Sequence, residues 1–285
     1  MPSLRAGDKV AIVCCSNGQD RGNEDKIQQL SQMIAGMELV PVLSEYLYTK
    51  EFSASAGAPV RADTLMDYYR DDSIKAIFDI SGGDIANEIL PYLDFEEIAK
   101  TRKIFWGYSD LTTILNAIYT KTKKTSVLYQ IRNLLYENGR VQREDFCDSV
   151  LGQGEKLFDF SYEWIQGERM EGIVVGGNIR CFLKLAGTPY LPDMKGKILL
   201  LEAFHGRMAQ MTTYLAQMAQ MGIFEQVEGV LLGTFTQLQE QKKEREELFR
   251  RIQTYAKGRP VAYTTQIGHG ADSKAIRIGE KRIFQ

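Results

Sequence analysis

Ile104-Phe105-Trp106-Gly107-Tyr108-Ser109-Asp110, running on into Leu111 to Tyr119, is a short apolar run that meets a helix-like stretch at a serine. A strand-to-helix corner of this kind lifts a hydroxyl above the strand ends, and the positive end of the next helix favours negative charge developing beside it. The tetrapeptide lacks the second glycine of G-x-S-x-G, and Ser and Asp also suit a helix N-terminus simply as caps. On these residues alone Ser109 is either a nucleophile or a cap.

Outward from this corner, short apolar runs alternate with amphipathic ones. Val10 to Cys15, Leu39 to Leu43, Ala76 to Ile80 and Val127 to Tyr129 read as strands; Asp25 to Met37, Ala62 to Tyr69, Ile85 to Leu93 and Asp110 to Thr120 read as helices. This predicts an α/β fold with a parallel sheet covered on both faces, whose ligands bind beyond the carboxyl ends of the strands. Ser109 lies at one such end and Ser81-Gly82-Gly83-Asp84 at another.

Between Tyr136 and Gly172 the pattern gives way to a polar stretch, read as a connection holding one short helix. The expected division is residues 1–135, a connection over 136–171 and a second domain over 172–285. In the last part, strands are expected at Ile173 to Val175, Ile198 to Leu201, Val230 to Gly233 and Val261 to Thr264, and helices near Ile179 to Leu185, Arg207 to Met221 and Gln239 to Lys257. Met208, Met211, Leu215, Met218 and Met221 form a helical stripe expected to be core. The charge run Glu240 to Arg251 is expected to be a solvated helix face.

The chain has 285 residues, 44% of them hydrophobic and 25% charged, with a net charge of -2. That balance gives no general attraction to nucleic acid or anionic membrane, so a charged ligand needs a local site. Met1 to Asp8 carry no apolar signal region, which leads us to expect a cytoplasmic protein. Cys14, Cys15, Cys147 and Cys181 have neither disulfide-framework nor zinc spacing, and Cys14 and Cys15 are expected to be inert strand-end thiols. No metal-ligand cluster, G-x-G-x-x-G or P-loop is present, so neither a metal nor a cofactor is expected.

A serine nucleophile needs a base. His205 follows the apolar run Ile198 to Leu201, and His269 lies between Gly268 and Gly270. Glu202 ends that apolar run and could hold one imidazole in its working tautomer, or simply make a salt bridge. Gly82-Gly83 could aim backbone N–H groups into the cleft and form an oxyanion hole with the Asp110 amide, or cradle a phosphate. Gly176-Gly177-Asn178 reads as a tight turn with Asn178 capping a helix.

Taken together and in order, Ser81-Gly82-Gly83-Asp84, Gly107-Tyr108-Ser109-Asp110, Gly176-Gly177-Asn178, Leu200-Leu201-Glu202 and Gly268-His269 resemble the LD-carboxypeptidases, the muramoyl-tetrapeptide carboxypeptidases, and the related microcin C self-immunity peptidases. The resemblance spans nearly the whole chain. It implies an N-terminal Rossmann-like domain joined to a C-terminal mixed α/β domain, and a homodimer. It also implies Ser109 as nucleophile, His269 rather than His205 as base, Glu202 as the triad acid, and the amides of Gly83 and Asp110 as oxyanion donors. Asp84, Tyr108 and Asn178 are the expected substrate contacts.

The implied reaction is metal-free removal of the terminal D-Ala from a murein tetrapeptide. The alternative is cleavage of the amide in a peptidyl or aminoacyl nucleotide, towards which Gly83-Asp84, Leu90-Pro91-Tyr92-Leu93 and Tyr108 lean. Trp164 is then either a platform for the base or an anchor of the connection. A non-catalytic α/β ligand-binding protein is the reading from another class. The chain departs from the family pattern at Cys14-Cys15-Ser16, Gln130-Ile131, Ala203 and Arg277.

Overall fold

The computed structural model describes residues 3–239 and 241–285. Met1, Pro2 and Glu240, the first residue of the charge run, lie outside the described residues. Twelve strands among the described residues form two six-stranded sheets. They are β1 (Lys9–Val13), β2 (Val40–Leu43), β3 (Ile74–Asp79), β4 (Ile104–Gly107), β5 (Ser126–Leu128), β6 (Glu163–Gln166), β7 (Met170–Asn178), β8 (Lys197–Ala203), β9 (Gly229–Phe235), β10 (Val261–Tyr263), β11 (Ile276–Ile278) and β12 (Lys281–Phe284).

The first sheet has the order β11-β5-β4-β3-β1-β2, parallel except for β11 against β5. The second has the order β12-β7-β8-β9-β10-β6, with β7 to β10 parallel and the two edges antiparallel. Both are sheets of an α/β fold, as the alternation of runs predicts.

Side-chain alternation explains why the first sheet is covered on both faces. Val10 and Ile12 join Phe78, Trp106, Ile27, Leu30 and Phe146 in one cluster, while Ala11 and Val13 join Ile77, Phe105, Leu65 and Ile114 in the other. The second cluster runs without a break into Ile198 to Leu201 and Leu231 of the second sheet. β8 and β9 are buried along their whole length, the pattern of central parallel strands. Helix Met208–Gln220 covers them with Met211, Leu215 and Met218, so the methionine stripe is core. Helix Lys242–Ala256 does the same with Leu248, Ile252 and Ala256 and turns its charges to solvent.

Several elements differ from the sequence expectation. Ile85 to Leu93 forms a 3-10 helix, Ala86–Tyr92, because Pro91 removes an amide donor and cannot sit in an α-helix interior. The polar stretch after Tyr136 holds helix Gly139–Phe146, a π turn Cys147–Leu151 and strand β6. Strands β11 and β12 are too short to carry a readable period, and β11 returns the C-terminal segment to the first sheet. Gly176 and Gly177 are not a turn: they are the end of β7, with φ of +104° and +132°.

Those glycines are where the sheets meet. A Cβ on Gly177 would stand 2.7 Å from Thr112 Oγ1 and 2.8 Å from Leu128 Cδ1. Asn116, buried in helix Thr112–Thr122, donates to the Gly176 carbonyl at 2.9 Å and accepts from the Gly176 amide at 2.9 Å. The helix that begins beside Ser109 is thereby fastened to the second sheet.

Candidate active site

Ser109 sits between β4 and that helix, opening a 3-10 turn, Ser109–Leu111, with φ of +54°. A left-handed conformation is unfavourable for a residue with a Cβ, and it marks a tight strand-to-helix corner. Gly107 makes the corner possible, since a Cβ there would stand 2.7 Å from Leu111 Cβ. The N-cap positions of this turn and of the helix after it fall on Tyr108 and Leu111, and among the described residues no cap bond from Ser109 is seen, so the capping account of this serine fails.

Asp110 is fully buried, and its carboxylate is a junction. Oδ2 accepts from Ser16 Oγ at 2.7 Å and from the Ala86 amide at 2.8 Å; Oδ1 accepts from Lys184 Nζ at 2.5 Å. Lys184 closes helix Ile179–Leu183 of the second sheet. Beside it, Asp84 pairs with Arg180, whose guanidinium holds the Asp84 carboxyl below its ordinary value.

The Gly82-Gly83 loop is built by the ends of β1 and β3. Buried Asp79 accepts from the Ser81 amide at 2.7 Å, the Ser81 hydroxyl at 2.6 Å and the Cys15 amide at 2.8 Å. Burial raises the Asp79 carboxyl above its ordinary value, against the pull of these hydrogen bonds. Gly83 has φ of +116°, and a Cβ there would overlap Asn17. Among the described residues neither the Gly83 amide nor the Asp110 amide donates to another protein group.

Glu202 and His269 meet across the second sheet. Glu202 lies near the end of β8, where the register with β9 shifts between Leu201 and Ala203, the kind of irregularity that re-aims a side chain. Its neighbour on β9, Gly233, leaves room for it: a Cβ there would stand 3.1 Å from Glu202 Cβ. His269 Nδ1 lies 2.6 Å from Glu202 Oε2, with the imidazole 8% and the carboxylate 1% exposed. Gly268, at φ of +139°, lets the loop pass Thr234, whose side chain a Cβ would overlap. The imidazole stacks on Phe204, with ring centroids 5.0 Å apart.

His269 Nε2 is buried and has no hydrogen-bond partner among the described residues, so the serine and histidine are not yet linked. Such bonds commonly tighten only once substrate is bound. Both residues line one cavity of about 680 Å³ between the sheets, together with Gly82, Gly83, Asp84, Tyr108, Asn178 and His205. His205 is exposed and meets Phe204 edge-on, with ring centroids 4.2 Å apart.

Asn178 uses its side chain to cap helix Ile179–Leu183, accepting from the Cys181 amide at 3.3 Å, as its sequence position suggested. Trp164 does not line the cavity: it lies on β6 against Tyr162 at a sheet edge, which makes it an anchor. Cys14 and Cys15 are buried, and desolvation, aided by the nearby Asp79, pushes both thiols well above their ordinary value. Among the described residues no group of three or more His, Cys, Asp or Glu side chains is placed to hold a metal ion. Among the described residues no helix is long and apolar enough to cross a membrane.

Arg132, Tyr136, Arg180, Phe204, Gln210 and Tyr214 also line the cavity, and no motif flagged them. Arg132 had one readable signal, its place just beyond a strand end in the segment where Gln130-Ile131 departs from the family pattern.

Comparison with known proteins agrees with this architecture. The LD-carboxypeptidase N-terminal domain matches residues 10–129, and the LD-carboxypeptidase C-terminal domain matches residues 171–282. A Bacillus subtilis protein named as a probable murein peptide carboxypeptidase is 27% identical over 290 residues, spanning 98% of this chain and 89% of its own. The fold is shared with an MccF-like protein from Bacillus anthracis at TM-score 0.87 and 22% identity, over 99% of this chain and 94% of that one. It is shared also with MccF bound to glutamyl sulfamoyl guanosine, at TM-score 0.86 and 17% identity, over the same shares of the two chains. With both halves matched in order, the chain belongs to the LD-carboxypeptidase family of peptidases.

Proposed function

We propose that the chain is a serine carboxypeptidase that removes the terminal D-Ala from an LD-linked murein tetrapeptide. The observation that carries this reading is the buried Glu202–His269 pair at 2.6 Å opening onto the cavity that holds Ser109 in its left-handed corner.

In this mechanism Ser109 Oγ attacks the scissile carbonyl while His269 Nε2 takes its proton. Glu202 fixes the tautomer by accepting from Nδ1 and stabilises the imidazolium. The amides of Gly83 and Asp110 receive the oxyanion, each such donor contributing about 10² to 10³ in rate. His269 then protonates the departing amine, the C–N bond breaks, and water activated by the same imidazole hydrolyses the acyl-enzyme. Asp84, Tyr108 and Asn178 are the proposed substrate contacts.

A second substrate, the amide of an aminoacyl nucleotide, is favoured by the half-exposed Phe204 and by Tyr214, which give the cavity rings on which a base could stack. Incubating the purified chain in parallel with murein tetrapeptide and with an aminoacyl sulfamoyl adenosine separates the two. Loss of D-Ala from the tetrapeptide is expected. Cleavage of the nucleotide alone transfers the assignment to the second substrate, and cleavage of neither supports the non-catalytic reading.

A further inference from the structure

Arg132 lies in the 3-10 helix Ile131–Leu135, just past β5, and its guanidinium lines the cavity. Every partner it has is neutral. Nη2 donates to the Tyr108 hydroxyl at 2.6 Å and to Gln130 Oε1 at 3.0 Å, and Nη1 donates to Gln19 Oε1 at 3.1 Å. Nε is buried and has no hydrogen-bond partner among the described residues. The other arginine of the cavity, Arg180, is paired with Asp84. A guanidinium stays charged at any working pH, and a largely desolvated charge without a counter-ion is costly. Among the described residues the cavity therefore carries one permanent positive charge without a carboxylate partner.

Tyr108 extends that charge toward the nucleophile. Its oxygen accepts from Arg132, which leaves the phenolic hydrogen to donate, and among the described residues it has no acceptor. The Tyr108 hydroxyl and Ser109 Oγ stand 3.6 Å and 4.0 Å from one shared point, where Gly82 has no side chain. Burial holds the phenol above its ordinary pKa although Arg132 pulls the other way, so the proton is present at neutral pH.

We infer that Arg132, directly and through Tyr108, is the anion-recognition group of the cavity, and that the anion it selects is the carboxylate of the substrate's departing residue. That carboxylate is attached through one carbon to the scissile nitrogen, so it must lie within a few bonds of Ser109. The inference rests on the peptidase reading for the identity of the anion. Charge-assisted bonds from a guanidinium and a polarised phenol are the strong, directional contacts such a group requires.

The test is calorimetric binding to the Ser109→Ala chain, which needs no turnover. Murein tetrapeptide should bind about tenfold tighter than its C-terminal carboxamide, as one charge-assisted contact predicts. Adding Arg132→Met should shrink that preference to about threefold or less, Tyr108→Phe should remove part of it, and Arg132→Lys should restore part. An unchanged preference in Arg132→Met, both peptides weakening together, would make Arg132 a structural clamp and overturn the inference. So would the lack of any preference in the Ser109→Ala chain. If Arg132→Met does not fold, Tyr108→Phe decides by the same criterion. D-Ala release by the native chain is measured separately. Its failure beside an intact carboxylate preference removes the peptidase reading and leaves the anion site standing.

Discussion

Ser109 holds a backbone conformation that costs a residue with a Cβ roughly 1–2 kcal/mol. In an ordinary helical position glycine is about 1 kcal/mol worse than alanine. Here the order should reverse or vanish: urea unfolding of Ser109→Gly is expected to give a stability at least equal to that of Ser109→Ala. A clear deficit for glycine would mean that the corner is unstrained. Among the titratable side chains, His269→Ala should abolish turnover and Glu202→Gln should reduce it by about 10²-fold or more, whereas His205→Ala stays within about tenfold of native. The opposite ranking of the histidines would break the triad assignment. The buried thiols offer a third check: in the native chain Ellman's reagent should leave Cys14, Cys15 and Cys181 untouched until denaturant is added. Glycines and strand ends single out Ser109, Glu202 and both histidines in the sequence, and only the family resemblance chooses His269 over His205. Arg132 was not legible, because its significance lies in neutral partners, Gln19 and Tyr108, that are distant in sequence.

At the scale of elements, helix Ile179–Leu183 braces the nucleophile corner through Lys184, which reaches the fully buried Asp110. Lys184→Met leaves that carboxylate with only Ser16 and the Ala86 amide, and should cost on the order of 3 kcal/mol. Because the Asp110 amide is a proposed oxyanion donor, kcat should fall more than KM rises. Unaltered kinetics in a destabilised variant would confine the pair to stability. Gly177→Ala tests the neighbouring seam: positive φ and contact with Thr112 and Leu128 predict a loss of about 1–3 kcal/mol. Long strands and helices were readable from their periods. The end of β7 was not, since Gly-Gly-Asn looks like a turn until Asn116 is seen to pair with Gly176 from another element. The 3-10 form of Ala86–Tyr92 was readable in principle from Pro91, but the apolar spacing outweighed it.

Over the whole molecule, one apolar cluster runs from the first sheet into the second, and β11 returns the C-terminal segment to the first. The two sheets should therefore unfold together. The two tryptophans report on them separately, Trp106 from β4 and Trp164 from β6. Urea curves of Trp106→Phe and Trp164→Phe, followed by fluorescence, should have the same midpoint after correction for any stability change. Distinct midpoints would make the two sheets independent units. The two-part α/β organisation was visible in the alternation of runs, while the interlocking was not, because short edge strands carry almost no pattern of their own. The central claim, that Ser109 is the nucleophile of a peptidase, is tested most directly by D-Ala release from LD-linked murein tetrapeptide under single-turnover conditions. The native chain is predicted to release D-Ala and the folded Ser109→Ala chain to do so about 10⁶-fold more slowly. Equal release by the two chains would contradict the claim.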